Sequence, residues 1–152
     1  MTPVPRTRAQ RRSDALATLA ATHADVWVAS ASKNDIPHLV PLSFAWDGEH
    51  VILATEAAAA TTRNIRKSGR ARLGFGTTRD VVMVDARLIR MVSDPASEPV
   101  VAARYADQAD WDPREAAGGF AYLLLRPDRI QVWREDNEIQ GRTVMRDGQW
   151  LT

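Results

Sequence analysis

The chain has 152 residues, enough for one domain with a sizeable buried core. Its 20 basic and 19 acidic side chains leave a formal net charge of +1, so the whole-chain field gives a polyanion such as nucleic acid no reason to bind. With no cysteine there is no disulfide, no thiolate zinc site and no cysteine nucleophile, a composition that suits a reducing compartment.

At the N-terminus, Arg6, Arg8, Arg11 and Arg12 precede an alanine-rich run in the manner of an export signal. Asp14, Thr18, Thr22, His23 and Asp25 break that run, and no later segment reaches the roughly 18 apolar residues of a membrane span. The sequence therefore reads as a soluble, cytoplasmic protein without a membrane partner, in which residues 1–12 form a flexible, solvated arm. After Ser13 as a cap, Leu16 and Leu19 predict a short helix over 14–21. Strands follow at Val26–Ser32, Leu39–Trp46 and His50–Thr55, separated by the turn-forming runs Lys33–Pro37 and Asp47–Glu49, which reads as an antiparallel meander. A basic helix is predicted at Thr61–Lys67 and a strand at Arg70–Gly76. Gly74-Phe75-Gly76 lacks the third glycine of a dinucleotide fingerprint and reads as part of a hairpin.

A long strand, Val81–Val92, places Val82, Val84, Ala86, Leu88 and Val92 inward past one exception, Arg90. A helix at Ser97–Asp107 brings Val101 and Tyr105 together, and Phe120–Leu125 and Arg129–Arg134 read as a final hairpin around Pro127-Asp128. Six or seven short antiparallel strands with a few short helices, and no regular strand–helix alternation, predict a mainly β barrel formed as a single domain over 1–152.

Most catalytic constellations are missing. His23, His38 and His50 lack helical metal-site spacing, so no metal is expected, and no serine sits in a nucleophile elbow. Two features remain. In Leu39–Trp46 the alternate residues Val40, Leu42, Phe44 and Trp46 are bulky, whereas Leu39, Pro41, Ser43 and Ala45 opposite them are mostly small; that smaller face suits a second subunit, a flat ligand or a covering helix. At the start of the basic helix, Thr61, Thr62 and Arg63 offer hydroxyls and a cation beside unpaired amides. They form either a phosphate seat or an ordinary cap followed by a solvated face.

The order "HLVPLSFAWDGEHVILAT", "TTRNIRKSGRARLGF", "VVMVDARLIRMVSD" resembles the pyridoxamine 5'-phosphate oxidase-like split β-barrels over residues 24–135, especially the actinobacterial branch that uses the deazaflavin coenzyme F-420. That resemblance implies a homodimer binding F-420 or FMN at the subunit interface and passing hydride to a small unsaturated or quinone-like substrate. It places the ring against Pro41, Leu42 and Ser43, and the phosphate near Thr55, Thr61, Thr62 and Arg63. Trp133 and Arg134 would close the partner's site. Where relatives carry a serine or threonine followed by a cation just before the Arg-Asn pair, this chain has Ala57–Ala60 and then Thr61-Thr62. The alanine run motivates a second reading, a non-catalytic dimeric protein that binds a flavin, haem or other planar ligand, or that has lost the cofactor.

Overall fold

The computed structural model describes residues 1–152. Eight strands run β1 Asp25–Ala31, β2 Pro37–Trp46, β3 Val51–Glu56, β4 Arg70–Thr77, β5 Asp80–Val92, β6 Phe120–Trp133, β7 Thr143–Arg146 and β8 Gln149–Trp150. Three α-helices, α1 Arg8–Leu19, α2 Ala60–Ser68 and α3 Pro99–Gln108, connect or cover them. All neighbouring strands are antiparallel in the order β3-β2-β1-β4-β5-β6-β7-β8, and β3 also pairs with β6. The first six strands thus close into a barrel, and β7 and β8 extend the sheet beyond β6. This is the mainly β split barrel expected.

Alternation builds the core. Val26 and Val28 of β1, Phe44 of β2, Leu73 and Phe75 of β4, and Val82, Val84 and Ala86 of β5 point inward and pack with Leu123, Leu125, Ile130 and Val132 of β6. Each such large apolar side chain stabilises the fold by about 1.5–3 kcal/mol relative to exposure. Ile65 of α2 plugs the same core, while Ala45, Ile52 and Ala54 lie in a second cluster under Val101, Ala102 and Tyr105 of α3. Gln108 of α3 ties the ends together, accepting from the Trp46 amide at 2.8 Å and donating to the carbonyls of Leu19 and Ala21 at 2.8 and 3.0 Å.

Three elements differ from the sequence expectation. The predicted Phe120–Leu125 and Arg129–Arg134 hairpin is one continuous strand. Pro127-Asp128 is a bulge within it, since Ala86 pairs with Pro127 and Asp85 with Arg129, leaving Asp128 as the extra residue. Its first half pairs with β3 and closes the barrel, and its second half carries β7. The second difference lies beyond Arg134, where β7 and β8 bring the strands to eight; in β5, by contrast, Arg90 is exposed as expected, paired with Glu98 at 2.6 Å where the register shifts between Leu88 and Arg90.

The third difference is the N-terminal arm. Helix α1 begins at Arg8, not near Asp14, because Thr7 and Gln10 form a reciprocal capping box. Arg11, Ala15 and Leu19, spaced by four, form its buried face. Arg6 is no solvated charge. It meets Glu138 through its main-chain amide at 2.8 Å and Nη2 at 2.7 Å, and Asp14 through Nη1 at 2.8 Å. Glu138, only 4% exposed, also accepts from the Arg134 amide at 2.8 Å. Among residues 1–12, then, the part from Arg6 onward is built into the domain.

Candidate functional site

Register across the sheet defines the outer face of the barrel. Pro41 stands opposite Trp27, Trp27 opposite Gly74, and Gly74 opposite Met83, giving one outward row across β2, β1, β4 and β5. The next row, about 7 Å along the strands at two residues per step, is Leu39, Ala29, Arg72, Asp85 and Arg129. Trp27 is 51% exposed and Leu39 60%, and they lie in adjacent rows of this face. With Gly74, Val81 and Met83 they line a cleft of about 320 Å³ whose lining holds no carboxylate and no imidazole. Gly74 adds no side chain to its floor, where a Cβ would sit in ordinary contact with Met83 and the Trp27 Cβ at 3.7–3.8 Å.

The opposite face of β2 meets the start of α2. His38, next to Leu39 on β2, places Nε2 3.1 Å from the Thr61 hydroxyl. The helix starts without help from its own sequence: the N-cap is Ala59, no side chain caps it, and its first turn holds no acid. The amides of Ala60, Thr61 and Thr62 precede the first intrahelical bond, Arg63 amide to Ala59 carbonyl at 3.0 Å. Arg63 is exposed and in no ion pair; its guanidinium rests on the Ala58 carbonyl. It shares a surface cleft of about 520 Å³ with Ala57, Ala58, Arg66 and Lys67, again without a carboxylate. Arg66 and Lys67 occupy the last turn, where cations complement the helix dipole, so Arg63 in the first turn is the unusual charge.

The expected site residues divide into three groups. Pro41 and Arg63 are exposed and accessible. Thr61 and Thr62 are buried: the Thr62 hydroxyl donates to the Glu56 carbonyl at 2.7 Å, while that of Thr61 faces His38. These two threonines therefore offer the helix start their amides and not free hydroxyls. Thr55 is also buried, on the face of β3 that carries Val51 and Leu53 into the core. Leu42 turns its side chain toward the core, and the Ser43 hydroxyl donates to Asp110 at 2.8 Å. Trp133 lies cross-strand from Val81 of the cleft, whereas Arg134 is bound to Asp80 at 3.2 Å.

Sequence reasoning missed Trp27, Ala29, Leu39, Gly74 and Met83 as one surface and His38 as the neighbour of Thr61. The alternation of β1 could have flagged Trp27, an aromatic residue out of phase with Val26 and Val28. Nothing in a single sequence set β4 beside β1, so the pairing of Trp27 with Gly74 was not legible.

A family model described as pyridoxamine 5'-phosphate oxidase matches residues 13–134. Solved structures of similar fold include an F-420 reductase, at 20% identity and TM-score 0.58, covering 74% of this chain and 92% of that one. The General Stress Protein 26 of Bacillus anthracis is similar at 14% identity and TM-score 0.61, covering 81% of this chain and 94% of that one. A heme binding protein of Mycobacterium smegmatis is similar at 15% identity and TM-score 0.68, covering 96% of this chain but 60% of its own length. No curated protein gave a significant match. No helix is long and apolar enough to cross a membrane.

Proposed function

Since the chain belongs to the pyridoxamine 5'-phosphate oxidase family, we propose that it is a cytoplasmic, homodimeric oxidoreductase that binds coenzyme F-420 or FMN on the outer face of its barrel. One observation carries this reading: the barrel bears an exposed apolar cleft at Trp27, Leu39, Gly74 and Met83, and β2 runs from that cleft through His38 to a helix start that has unpaired amides, a first-turn arginine and no cap of its own. The residues fit the group at both ends. Gly74 and the flat flank of Trp27 accept a planar ring, and the amides of Ala60–Thr62 with Arg63 suit a phosphate.

When bound, such a cofactor supplies hydride chemistry that side chains cannot. The chain's own residues bind and shield. Trp27, Leu39 and Met83 exclude water from the ring, Arg63 partly neutralises the phosphate, and a second subunit seated on the apolar face would complete the enclosure with Trp133 near its rim. The cleft lining of one subunit carries no carboxylate and no imidazole, so its residues would hold and shield the ring and would not themselves donate a proton. Titration of the purified protein with F-420 and with FMN tests the reading. Quenching or a spectral shift with one of them is expected, and no change with either would overturn it.

The internal commitment of the Thr61 and Thr62 hydroxyls favours a second reading, a non-catalytic protein that holds a planar ligand such as a flavin or haem on the same face. Steady reduction of an acceptor at the expense of reduced cofactor separates the two, since only the oxidoreductase turns over.

A further inference from the structure

The apolar cleft is only part of the outer face. Ala29 and Arg72 border both it and a larger cavity of about 650 Å³. The floor of that cavity is made of small residues, and its walls carry Arg70, Arg72, Arg87 and Arg129 against Asp85 and Asp128. Four guanidiniums thus face two carboxylates. Asp85 is shared by Arg72 and Arg129, each at 2.7 Å, and Asp128 is held by Arg87 at 2.8 Å. Arg70 is in no ion pair.

The register sharpens the imbalance, because Arg70 of β4 stands directly opposite Arg87 of β5. Like charges facing each other across an antiparallel pair destabilise it. Both side chains are exposed, so the core does not require them there. Arg87 already gives Nε and Nη2 to Asp128, so the free fork at the mouth of the cavity is that of Arg70, which can take an oxyanion in bidentate fashion with the Arg87 charge beside it.

We propose that this cavity holds the acidic group of the acceptor, a carboxylate, sulfonate or phosphate bound between Arg70 and Arg87, while the acceptor's apolar body runs past Ala29 toward the ring cleft. The inference rests on the proposed placement of the cofactor ring and adds the substrate class, an acidic amphiphile. Arg70 lies four residues along β4 from Gly74, about 13 Å at the strand rise, so an elongated acceptor spans the two regions and a compact one does not.

The test uses the full chain without cofactor and two matched fluorescent probes, 8-anilinonaphthalene-1-sulfonate and its uncharged counterpart N-phenyl-1-naphthylamine, titrated at low ionic strength. The sulfonate is expected to bind about tenfold more tightly than the neutral amine, in line with a charge-assisted contact. Arg70→Ala should erase that preference without changing the neutral probe, Arg70→Lys should keep part of it, and the remote Arg104→Ala should keep all of it. Equal affinity for the two probes overturns the proposal, as does a preference that survives Arg70→Ala. A loss of dimer in Arg70→Ala by sedimentation, with the preference intact, assigns the arginines to a partner's carboxylates and overturns it too. Failure of F-420 and FMN to bind, with the probe preference present, refutes the proposed function and leaves the anion site standing.

Discussion

The junction of Arg6 with Glu138 and the outer face around Arg70 are both rich in charge, but they are organised in opposite ways. At the junction Glu138 is buried and accepts from the Arg6 side chain and amide and from the Arg134 amide, so each carboxylate oxygen is matched. On the outer face Trp27 and Leu39 are open to water and Arg70 is in no ion pair, and at the far side of β2 helix α2 begins without a cap. A buried charge must be fully satisfied for the fold to persist. Imbalance costs less where water, or a ligand, can complete it. The contrast separates residues that hold the molecule together from residues kept ready for something else.

The sharpest way to break the contrast is at Glu138. Glu138→Ala removes the buried partner of Arg6, leaving it the half-exposed Asp14, and is expected to destabilise the protein by about 2–3 kcal/mol, read by denaturant unfolding at neutral pH. The hydrogen bond from Arg6 is the main cause that holds the Glu138 carboxyl down to about 2, from an ordinary 4.5. A depressed carboxyl contributes stability that is complete above its unfolded value and is lost as pH falls through the folded one. The wild-type protein should therefore lose stability between about pH 4.5 and 2, and Glu138→Gln should lack this part of the acid limb. An identical acid profile in the two proteins would refute that role.

On the other side of the comparison, substitutions should alter binding and spare the fold. Arg63→Ala is expected to weaken the cofactor by about 1–3 kcal/mol, while the unfolding midpoint moves by no more than about 0.5 kcal/mol of stability. Trp27→Ala should cost about 0.5–1.5 kcal/mol of ring affinity, measured in the same titration. Were Arg63→Ala to unfold the protein and leave affinity intact, the outer face would be structural after all.

Much of the barrel was legible because strand alternation is a local property. Val82, Val84 and Ala86 had to share a face whichever strands flanked them, and Val101 with Tyr105 had to share a helix side. The N-terminal helix was also written locally, in the Thr7-Arg8-Ala9-Gln10 capping box, but the neighbouring arginines read more strongly as solvated charge. Arg6 could find Glu138 only through the fold, across 132 residues of sequence. Pro127-Asp128 spells a turn and a bulge equally well, and the pairing of β6 with both β3 and β5 decided between them. The candidate site was the least legible part. Its basic helix start could be read directly, whereas the row Pro41, Trp27, Gly74, Met83 exists only once four strands are in register.

The smallest expected effect bears most directly on that helix start. Ala59 occupies the N-cap, where a short polar side chain would satisfy an orphan amide. Ala59→Asp supplies both the cap and a negative charge at the positive end of the helix dipole, and should raise stability by about 0.5–1 kcal/mol. The same carboxylate would occupy the amides of Thr61 and Thr62 and repel a phosphate, so cofactor affinity should fall as stability rises. Ala59→Ser supplies the cap without the charge and should reproduce most of the stability gain with a smaller loss of affinity. Opposite movement of stability and affinity in Ala59→Asp is what a helix start kept uncapped for an anion requires. A gain in stability with unchanged affinity would move the phosphate away from α2.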